Sequence, residues 1–205
     1  MFLNKHGGII IYQKDFTNLK HGLAIKTLNQ KKYFREYVIK NSYTSLLDLG
    51  CGTATEYFAY QEEYPELKYL GVDSCKVLYE ENIKLNVPML YASAENTKLK
   101  DNHSEVVFAR HVLEHQPTFK PILSEMIRLA SKVAIHVFFK VPDDDVPYTI
   151  EGNFLRGYNK HENLYHNKFN KTEIENFVLS YNKVKSFEWV KITYKDSGLI
   201  ILMNE

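Results

Sequence analysis

The stretch that decides the fold is LLDLGCGT, residues 46–53. Its first half is a short apolar β-type run. Two glycines follow, two residues apart, directly before a stretch with helical periodicity. A ligand that lies across the start of a helix contacts the backbone there, and a Cβ atom would block it. The stretch therefore predicts a strand, a ligand-binding turn and a helix.

Short β-type runs alternate with amphipathic helical stretches on the C-terminal side of this turn. The predicted strands are residues 45–49, 68–72, 89–92, 105–109 and 132–139, and the predicted helices between them are 53–64, 74–85 and 119–130. Ser74 is the expected cap of the second of these helices. Strands separated by helices of this length form βαβ units and a parallel sheet.

Residues 141–171 show no clear period and carry two prolines and two glycines. A stretch that long without structure in a compact domain is usually a functional lid or a misread element. Three consecutive acids, residues 143–145, resemble a divalent-cation cluster. We interpret them as a solvated face, because neighbours on an extended chain point apart.

The C-terminal part combines a helix with two β-type runs. A capping box formed by Thr172 and Glu175 is expected to open the helix, which ends near Tyr181. Residues 187–193 and 198–203 then follow, joined by only four residues. A parallel crossover needs a dozen residues or more, so these runs predict an antiparallel hairpin.

An acidic residue ends the second predicted strand. Asp73 lies about 20 residues beyond the glycine turn, a spacing at which a carboxylate can accept hydrogen bonds from both hydroxyls of a ribose. A nicotinamide-dependent dehydrogenase would share this arrangement. Its fingerprint requires a third glycine where this chain has Thr55, so that alternative is disfavoured.

These residues resemble the class I S-adenosylmethionine (SAM) dependent methyltransferases, and in particular the type 11 methyltransferase family. The likeness covers residues 45–139, and the closing hairpin extends it to the C-terminus. The family's first motif, an acid and three glycines, falls on Asp48, Gly50 and Gly52, with Ala54 at the third glycine. Its second motif, the acid that ends strand two, is Asp73.

Two further motifs follow in the order of the family. The third often reads Gly-Asp-Ala-Glu and is ASAE here, residues 92–95. Ser93 therefore stands where an aspartate commonly meets the adenine amino group, and a serine oxygen can still accept that hydrogen bond. The fourth motif, after strand four, is RHVLEH, residues 110–115.

The resemblance implies an α/β fold: a Rossmann-like, seven-stranded, mostly parallel sheet with helices on both faces, a C-terminal antiparallel hairpin and strand order 3-2-1-4-5-7-6. It implies one domain over residues 1–205, divided into an N-terminal helical cap (1–43), a SAM-binding core (44–140), a lid or substrate loop (141–171) and a helix with the closing hairpin (172–205). SAM is the implied cofactor and S-adenosylhomocysteine (SAH) the product. The candidate cofactor-binding residues are Asp48, Gly50, Gly52, Asp73, Ser74, Ser93, Ala94, Glu95, Ala109 and Arg110.

His115 and His111 are the candidate catalytic residues, since some members that methylate hydroxyls use a histidine here as general base. A purely structural role is an equal alternative for each. The two imidazoles lie four residues apart, which would place them on one face of a helical turn. The spacing also suits a metal, with Glu114 beside it. Zinc needs a third ligand, and none is evident nearby in the sequence, so no metal site is predicted.

Aromatic residues are unusually frequent, at 14% of the chain, with 15 Tyr and 12 Phe. Many fall in two segments that flank the cofactor site in this family: Tyr33, Phe34 and Tyr37 in the first, and Tyr148, Phe154, Tyr158, Tyr165 and Phe169 in the second, which also carries His161 and His166. We interpret them as a ring-rich acceptor pocket, with a second small core as the alternative.

Composition narrows the acceptor and the compartment. A net charge of +1 argues against nucleic acid, no apolar run approaches the ~20 residues of a membrane span, and two cysteines favour the cytoplasm. Neither an Asn-Pro-Pro-Tyr nor a Pro-Cys sequence follows strand four. We therefore expect a monomer or homodimer acting on a hydroxyl of a small molecule. The alternatives are nitrogen or carbon methylation, or an inactive SAM-binding partner subunit.

Overall fold

The structure, a computed structural model, describes residues 29–146, 158–159, 164–192 and 196–204. Its helices are α1 (Asn29–Lys40), α2 (Thr55–Glu63), α3 (Lys76–Lys84), α4 (Lys120–Leu129) and α5 (Lys171–Leu179), with a 3-10 turn at Leu113–His115. Its strands are β1 (Ser45–Leu49), β2 (Lys68–Asp73), β3 (Met89–Tyr91), β4 (Ser104–Arg110), β5 (Ala130–Phe138), β6 (Tyr158–Asn159), β7 (Leu164–Tyr165), β8 (Val184–Lys191) and β9 (Ser197–Met203).

Seven strands form one sheet in the order β3-β2-β1-β4-β5-β9-β8. The first five run parallel, and β9 lies antiparallel between β5 and β8. Numbered by themselves, these seven strands have the order 3-2-1-4-5-7-6, so the predicted fold class is confirmed. Leu49 pairs with Val72 on one side and Ala109 on the other, which brings the carboxyl ends of β1, β2 and β4 level at the point where the strand order reverses.

The sheet is buried on both faces. Alternate side chains of β1 and β4 enter different cores, because successive residues of a strand point to opposite faces. Leu47 and Val107 belong to the core that α4 and α5 cover, whereas Leu46 and Val106 belong to the core with α1 and α2. Full burial of one such aliphatic side chain contributes roughly 1.5–3 kcal/mol, so both helical layers hold the sheet edge in place.

Helix α2 begins two residues later than the sequence predicted. Gly52 and Ala54 have positive φ angles of 57° and 51°, a left-handed conformation that cannot belong to an α-helix. The helix therefore starts at Thr55. The turn between β1 and α2 therefore spans residues 50–54.

The predicted cap of α3 is wrong. Cys75, rather than Ser74, is the N-cap residue, and it makes no side-chain capping hydrogen bond. Instead, the Cys75 N–H donates to Oδ1 of Asp73 at 2.7 Å. The carboxylate that ends β2 thus takes over the role that the hydroxyl was expected to fill.

The predicted capping box of α5 is also wrong. The helix begins at Lys171, and Asn170 caps it by accepting the Glu173 N–H at 2.8 Å. Thr172 already lies inside the first turn, so its hydroxyl cannot cap the helix. It donates to the Asp144 carboxylate instead, at 2.7 Å.

Residues 158–165 contain a short antiparallel pair, β6 and β7, where the sequence predicted no structure. The acids before it make protein contacts: Asp143 pairs with Lys168 at 2.9 Å, and Asp144 accepts from Thr172. Within the described ranges, no three His, Cys, Asp or Glu side chains could hold a metal ion together. Tyr148, Phe154 and His161 lie outside the described residues, as does the side chain of Tyr158.

The cysteines and the helix lengths complete the description of the fold. Cys51 and Cys75 are both free thiols. In the part of the chain that the structure describes, no helix combines the length and the apolarity that a membrane crossing requires.

Candidate active site

A cleft of about 250 Å³ opens where β1, β2 and β4 end. One wall comes from the β1–α2 turn and the end of β2, and contains Gly50, Gly52, Asp73 and Ser74. The other wall follows β4 and contains Arg110, His111, His115 and Gln116. The cleft therefore brings together residues that lie some 60 positions apart in the predicted motifs, as the parallel topology requires.

The two glycines of the first wall serve different purposes. Both have positive φ angles, 69° at Gly50 and 57° at Gly52. A Cβ atom on Gly50 would come within 2.7 Å of Cγ2 of Val112, so this glycine permits close packing of the turn against the second wall. A Cβ atom on Gly52 would meet nothing within 4 Å. The space beside Gly52 is open to a ligand that approaches the backbone.

Asp73 holds the first wall together. Its Oδ2 accepts the Gly52 N–H at 2.9 Å, and its Oδ1 accepts the Cys75 N–H at 2.7 Å. Burial raises the pKa of the carboxyl, and these backbone hydrogen bonds oppose that rise. Each carboxylate oxygen has a second lone pair, so the group can still accept from two ligand hydroxyls.

His111 begins the second wall in an unusual conformation. Its φ angle is 58°, and its N–H donates to the Val137 carbonyl at 2.9 Å. Burial first, and the neighbouring Arg110 cation second, lower the pKa of His111 to about 4. The imidazole is therefore neutral near pH 7. Its Nε2 atom is buried without a hydrogen-bond partner among the described residues.

Glu114 anchors the 3-10 turn to β5. Its Oε1 accepts the Phe139 N–H at 2.6 Å, and its Oε2 lies 3.3 Å from Nε2 of His136. Both side chains of this pair are fully buried. Burial raises the pKa of Glu114, but the hydrogen bonds from His136 and the backbone outweigh it, so the pKa lies below its usual value. The residue that the sequence placed beside a possible metal site is therefore a structural clamp.

His115 lies at the end of the same turn. Its Nδ1 is 2.8 Å from the Tyr165 carbonyl oxygen. A carbonyl only accepts, so Nδ1 carries the proton of this hydrogen bond. The imidazole also contacts the rings of Phe139 and His166, each with a centroid distance of 5.3 Å.

Asn167 completes this side of the site, and no pattern in the sequence indicated it. Its backbone N–H donates to the Glu114 carbonyl at 2.8 Å. Its side-chain Nδ2 donates to the Gln116 carbonyl at 2.5 Å. The residue is only 1% exposed. An asparagine in a predicted loop usually indicates a turn, so nothing in the pattern distinguished this one.

Seven of the predicted site residues line the cleft, and five do not. The seven are Gly50, Gly52, Asp73, Ser74, Arg110, His111 and His115. His111 and His115 meet there although they do not share a helical face, because the helical turn starts only at Leu113. The prediction of one shared helical face is wrong, but both imidazoles still line the same cleft.

Asp48 and Ala109 lie in the protein interior. Oδ2 of Asp48 accepts the Tyr69 hydroxyl at 2.8 Å, and the residue is 3% exposed. This carboxylate therefore supports the glycine turn from inside. Ala109 is fully buried on β4.

The three residues that follow β3 also lie outside the cleft lining. Ser93 and Glu95 are exposed, and Ala94 packs against the core. The Ser93 hydroxyl accepts the Glu95 N–H at 3.2 Å. The role of Ser93 at adenine, and the cofactor contacts of Ala94 and Glu95, therefore stay predictions.

Comparison with known proteins agrees with this architecture. Residues 47–138 match the family model of the methyltransferase domain. No curated protein sequence is significantly similar to the chain. The likeness to the methyltransferase family that the motifs predicted is confirmed by the domain match.

Several solved structures share the fold. The YcgJ protein of Bacillus subtilis is 18% identical with a TM-score of 0.57, covering 73% of this chain and 64% of that one. An O-methyltransferase family protein of Burkholderia thailandensis is 12% identical with a TM-score of 0.60, covering 80% and 52%. A SAM-dependent methyltransferase of Aquifex aeolicus is 15% identical with a TM-score of 0.63, covering 95% and 100%. The chain thus spans less than two thirds of the first two proteins.

Proposed function

From the premise that this chain carries a class I SAM-dependent methyltransferase domain, we propose that it moves a methyl group from SAM to a hydroxyl oxygen of a small molecule. One observation carries the proposal. The cleft has a glycine and carboxylate wall suited to a nucleoside, and facing it a wall with a tautomer-fixed histidine. The net charge of +1 favours a small acceptor over a nucleic acid.

The first wall fits the nucleoside part of SAM. The open space beside Gly52 lets a ligand touch the backbone, and Asp73 offers a lone pair on each carboxylate oxygen to the ribose hydroxyls. Ser74, next to it, supplies a further hydroxyl at the rim. In this assignment Asp48 acts from beneath, by holding the turn through Tyr69, and does not touch the ligand.

Bound SAM supplies a methyl group on a sulfonium, and the electron pair of the breaking carbon–sulfur bond returns to sulfur to give SAH. The chain's own task is to align the acceptor with that methyl group and exclude water. His115 accepts the hydroxyl proton at Nε2 as the oxygen binds the methyl carbon, and then releases it to solvent. Such a base contributes typically ~10²–10⁴ in rate.

His111 is proposed to orient the acceptor. Its low pKa, about 4, keeps the ring neutral, so it can hydrogen bond to an uncharged hydroxyl without adding charge beside the sulfonium. Arg110 next to it supplies the positive charge on this wall. A neutral amine already has a nucleophilic lone pair, so it depends less on a base than a hydroxyl does. The two imidazoles in the cleft therefore favour oxygen over nitrogen as the acceptor.

The test combines binding with turnover. Calorimetric titration with SAM and SAH should show saturable binding, and methyl-labelled SAM offered to a panel of hydroxyl, amine and carbon acceptors should label a hydroxyl compound. Labelled amines or carbons would overturn the choice of oxygen. Tight binding without any turnover would support the alternative of an inactive partner subunit. Cytoplasmic location, which composition favours, and a monomeric or homodimeric state remain predictions.

A further inference from the structure

We infer that Asn167 is a positioning residue for the proposed base: it fastens the segment 164–167 onto the 3-10 turn, so that the Tyr165 carbonyl selects the Nδ1–H tautomer of His115. The inference rests on the proposed function, because it concerns the proton acceptor of that reaction. Asn167 does not line the cleft. Its effect on the reaction must therefore pass through the residues that it holds, of which His115 is the proposed base.

Three hydrogen bonds join the two segments. His115 Nδ1 donates to the Tyr165 carbonyl at 2.8 Å. Asn167 bonds on both sides of His115: its N–H donates to the Glu114 carbonyl at 2.8 Å, and its Nδ2 donates to the Gln116 carbonyl at 2.5 Å. Asn167 thus binds the residues on both sides of His115. These bonds fix the distance between the Tyr165 carbonyl oxygen and Nδ1 of His115.

The orientation of the Asn167 amide is determined by its partner. Gln116 offers a backbone carbonyl, which can only accept, so the atom facing it must be the amide nitrogen. The side chain is buried, with 1% of its surface exposed, so water cannot readily replace the lost contact when the amide is removed. The contact is therefore specific and hard to substitute.

The Glu114 side chain holds the turn from the opposite side, through the Phe139 N–H at 2.6 Å. The turn is consequently fixed both to β5 and to the segment after β7. Phe139 and His166 contact the imidazole of His115 and restrict its rotation. With the ring plane held, the hydrogen bond to the Tyr165 carbonyl decides which nitrogen carries the proton.

The tautomer of His115 decides whether its imidazole can act as a base. With the proton on Nδ1, the lone pair is on Nε2 of a residue that lines the cleft. With the tautomer reversed, Nε2 carries a hydrogen and cannot take a proton from the acceptor. A backbone carbonyl from a segment 50 residues away therefore performs the task that a carboxylate performs in many histidine bases.

The experiment measures the tautomer directly. Imidazole nitrogen NMR of protein labelled with nitrogen-15 histidine, with the His115 signals assigned from their loss in His115→Gln, should find the proton on Nδ1 in the wild type at pH 8. Asn167→Ala should shift part of the population to Nε2–H. Asn176→Ala, at an exposed asparagine of α5, serves as the matched control and should leave the spectrum unchanged.

Two results would overturn the inference: a wild-type His115 that carries its proton on Nε2, or an Asn167→Ala spectrum identical to the wild type. The first needs no substitution at Asn167, so it can overturn the inference even if Asn167→Ala fails to fold. Asn167→Leu provides a second variant, because leucine has a similar size but no donor for the Gln116 carbonyl, and it should also shift part of the population to Nε2–H.

Kinetics separate this inference from the proposed function. Asn167→Ala should lower kcat about three- to tenfold, less than the full ~10²–10⁴ of a general base, and leave SAM affinity unchanged. A tautomer that responds to Asn167 in a protein that methylates no acceptor would support the inference and contradict the function. Turnover that falls in His115→Ala but stays at the wild-type value in Asn167→Ala would support the proposed function and contradict the inference.

Discussion

Oδ2 of Asp73 accepts the N–H of Gly52 at 2.9 Å, so the carboxylate expected to bind a ribose also fixes the turn against which the ribose would lie. The same side chain caps the start of α3 through Cys75. One carboxylate thus links the glycine turn, the end of β2 and the next helix. Its removal should affect the ligand and the local fold together.

Asp73→Ala should weaken SAM binding at least about tenfold, the equivalent of 1.4 kcal/mol, because it removes the ribose acceptor and releases the turn. Asp73→Asn should fall between Ala and the wild type, since an amide oxygen can still accept one of the two backbone hydrogen bonds. Calorimetry measures both affinities. Glu80→Ala, an exposed acid on α3, is the control, and an unchanged affinity in Asp73→Ala would refute the ribose assignment.

The two glycines of the turn should respond differently to alanine. Gly50→Ala meets a clash with Val112 at 2.7 Å as well as a left-handed φ, so we expect a loss of about 1–3 kcal/mol in the free energy of unfolding. Gly52→Ala has open space around its Cβ, so it should cost less stability and yet reduce SAM affinity about tenfold or more. Urea unfolding and calorimetry on both variants test this contrast, which fails if Gly52→Ala binds SAM normally.

His115→Ala should lower kcat by about 10²–10⁴ while SAM affinity stays at the wild-type value, because the imidazole takes a proton in the reaction but does not hold the nucleoside. The measurement pairs single-turnover kinetics with calorimetry. Equal losses in binding and turnover would instead assign His115 a structural role, which the sequence left open.

The stability of the protein should depend on pH through His111. Its pKa is lowered from 6.5 to about 4 in the folded state, so between these values the unfolded chain binds more protons. Stability is therefore unaffected above about pH 6.5 and falls as the pH decreases towards 4, by about 3 kcal/mol in total. Urea unfolding between pH 4 and 7 measures the slope. His111→Asn, which tolerates a positive φ, should flatten it, and parallel wild-type and variant slopes would contradict the assignment.

The sequence predicted the parts of the site that depend on local chain geometry. Gly50, Gly52 and Asp73 follow strand ends, and a parallel sheet brings such ends together whatever the loops do. The sheet order followed from the resemblance and is confirmed. The exact start of α2 was not predicted, because Ala54 adopts a left-handed conformation that shifts the first helical residue to Thr55.

The contacts that the sequence could not predict are long-range and use backbone atoms. The Tyr165 carbonyl forms a hydrogen bond with His115, 50 positions away in the sequence. Every residue has a backbone carbonyl, so the residue type does not indicate this contact. Asn167 is buried where segment 164–167 packs onto the 3-10 turn. No hydrophobic periodicity in the sequence predicts that packing. The hydrogen bond from the Thr172 hydroxyl to Asp144 is long-range in the same way, whereas Asn170 caps α5.

The proposed function requires above all that the cleft binds SAM. Calorimetric titration of the wild-type protein with SAM, SAH and NAD+ tests that claim most directly. Saturable binding of SAM and SAH at one site per chain, with no heat from NAD+, is the predicted result. Binding of NAD+ in preference to SAM, or no binding of SAM at all, would contradict it.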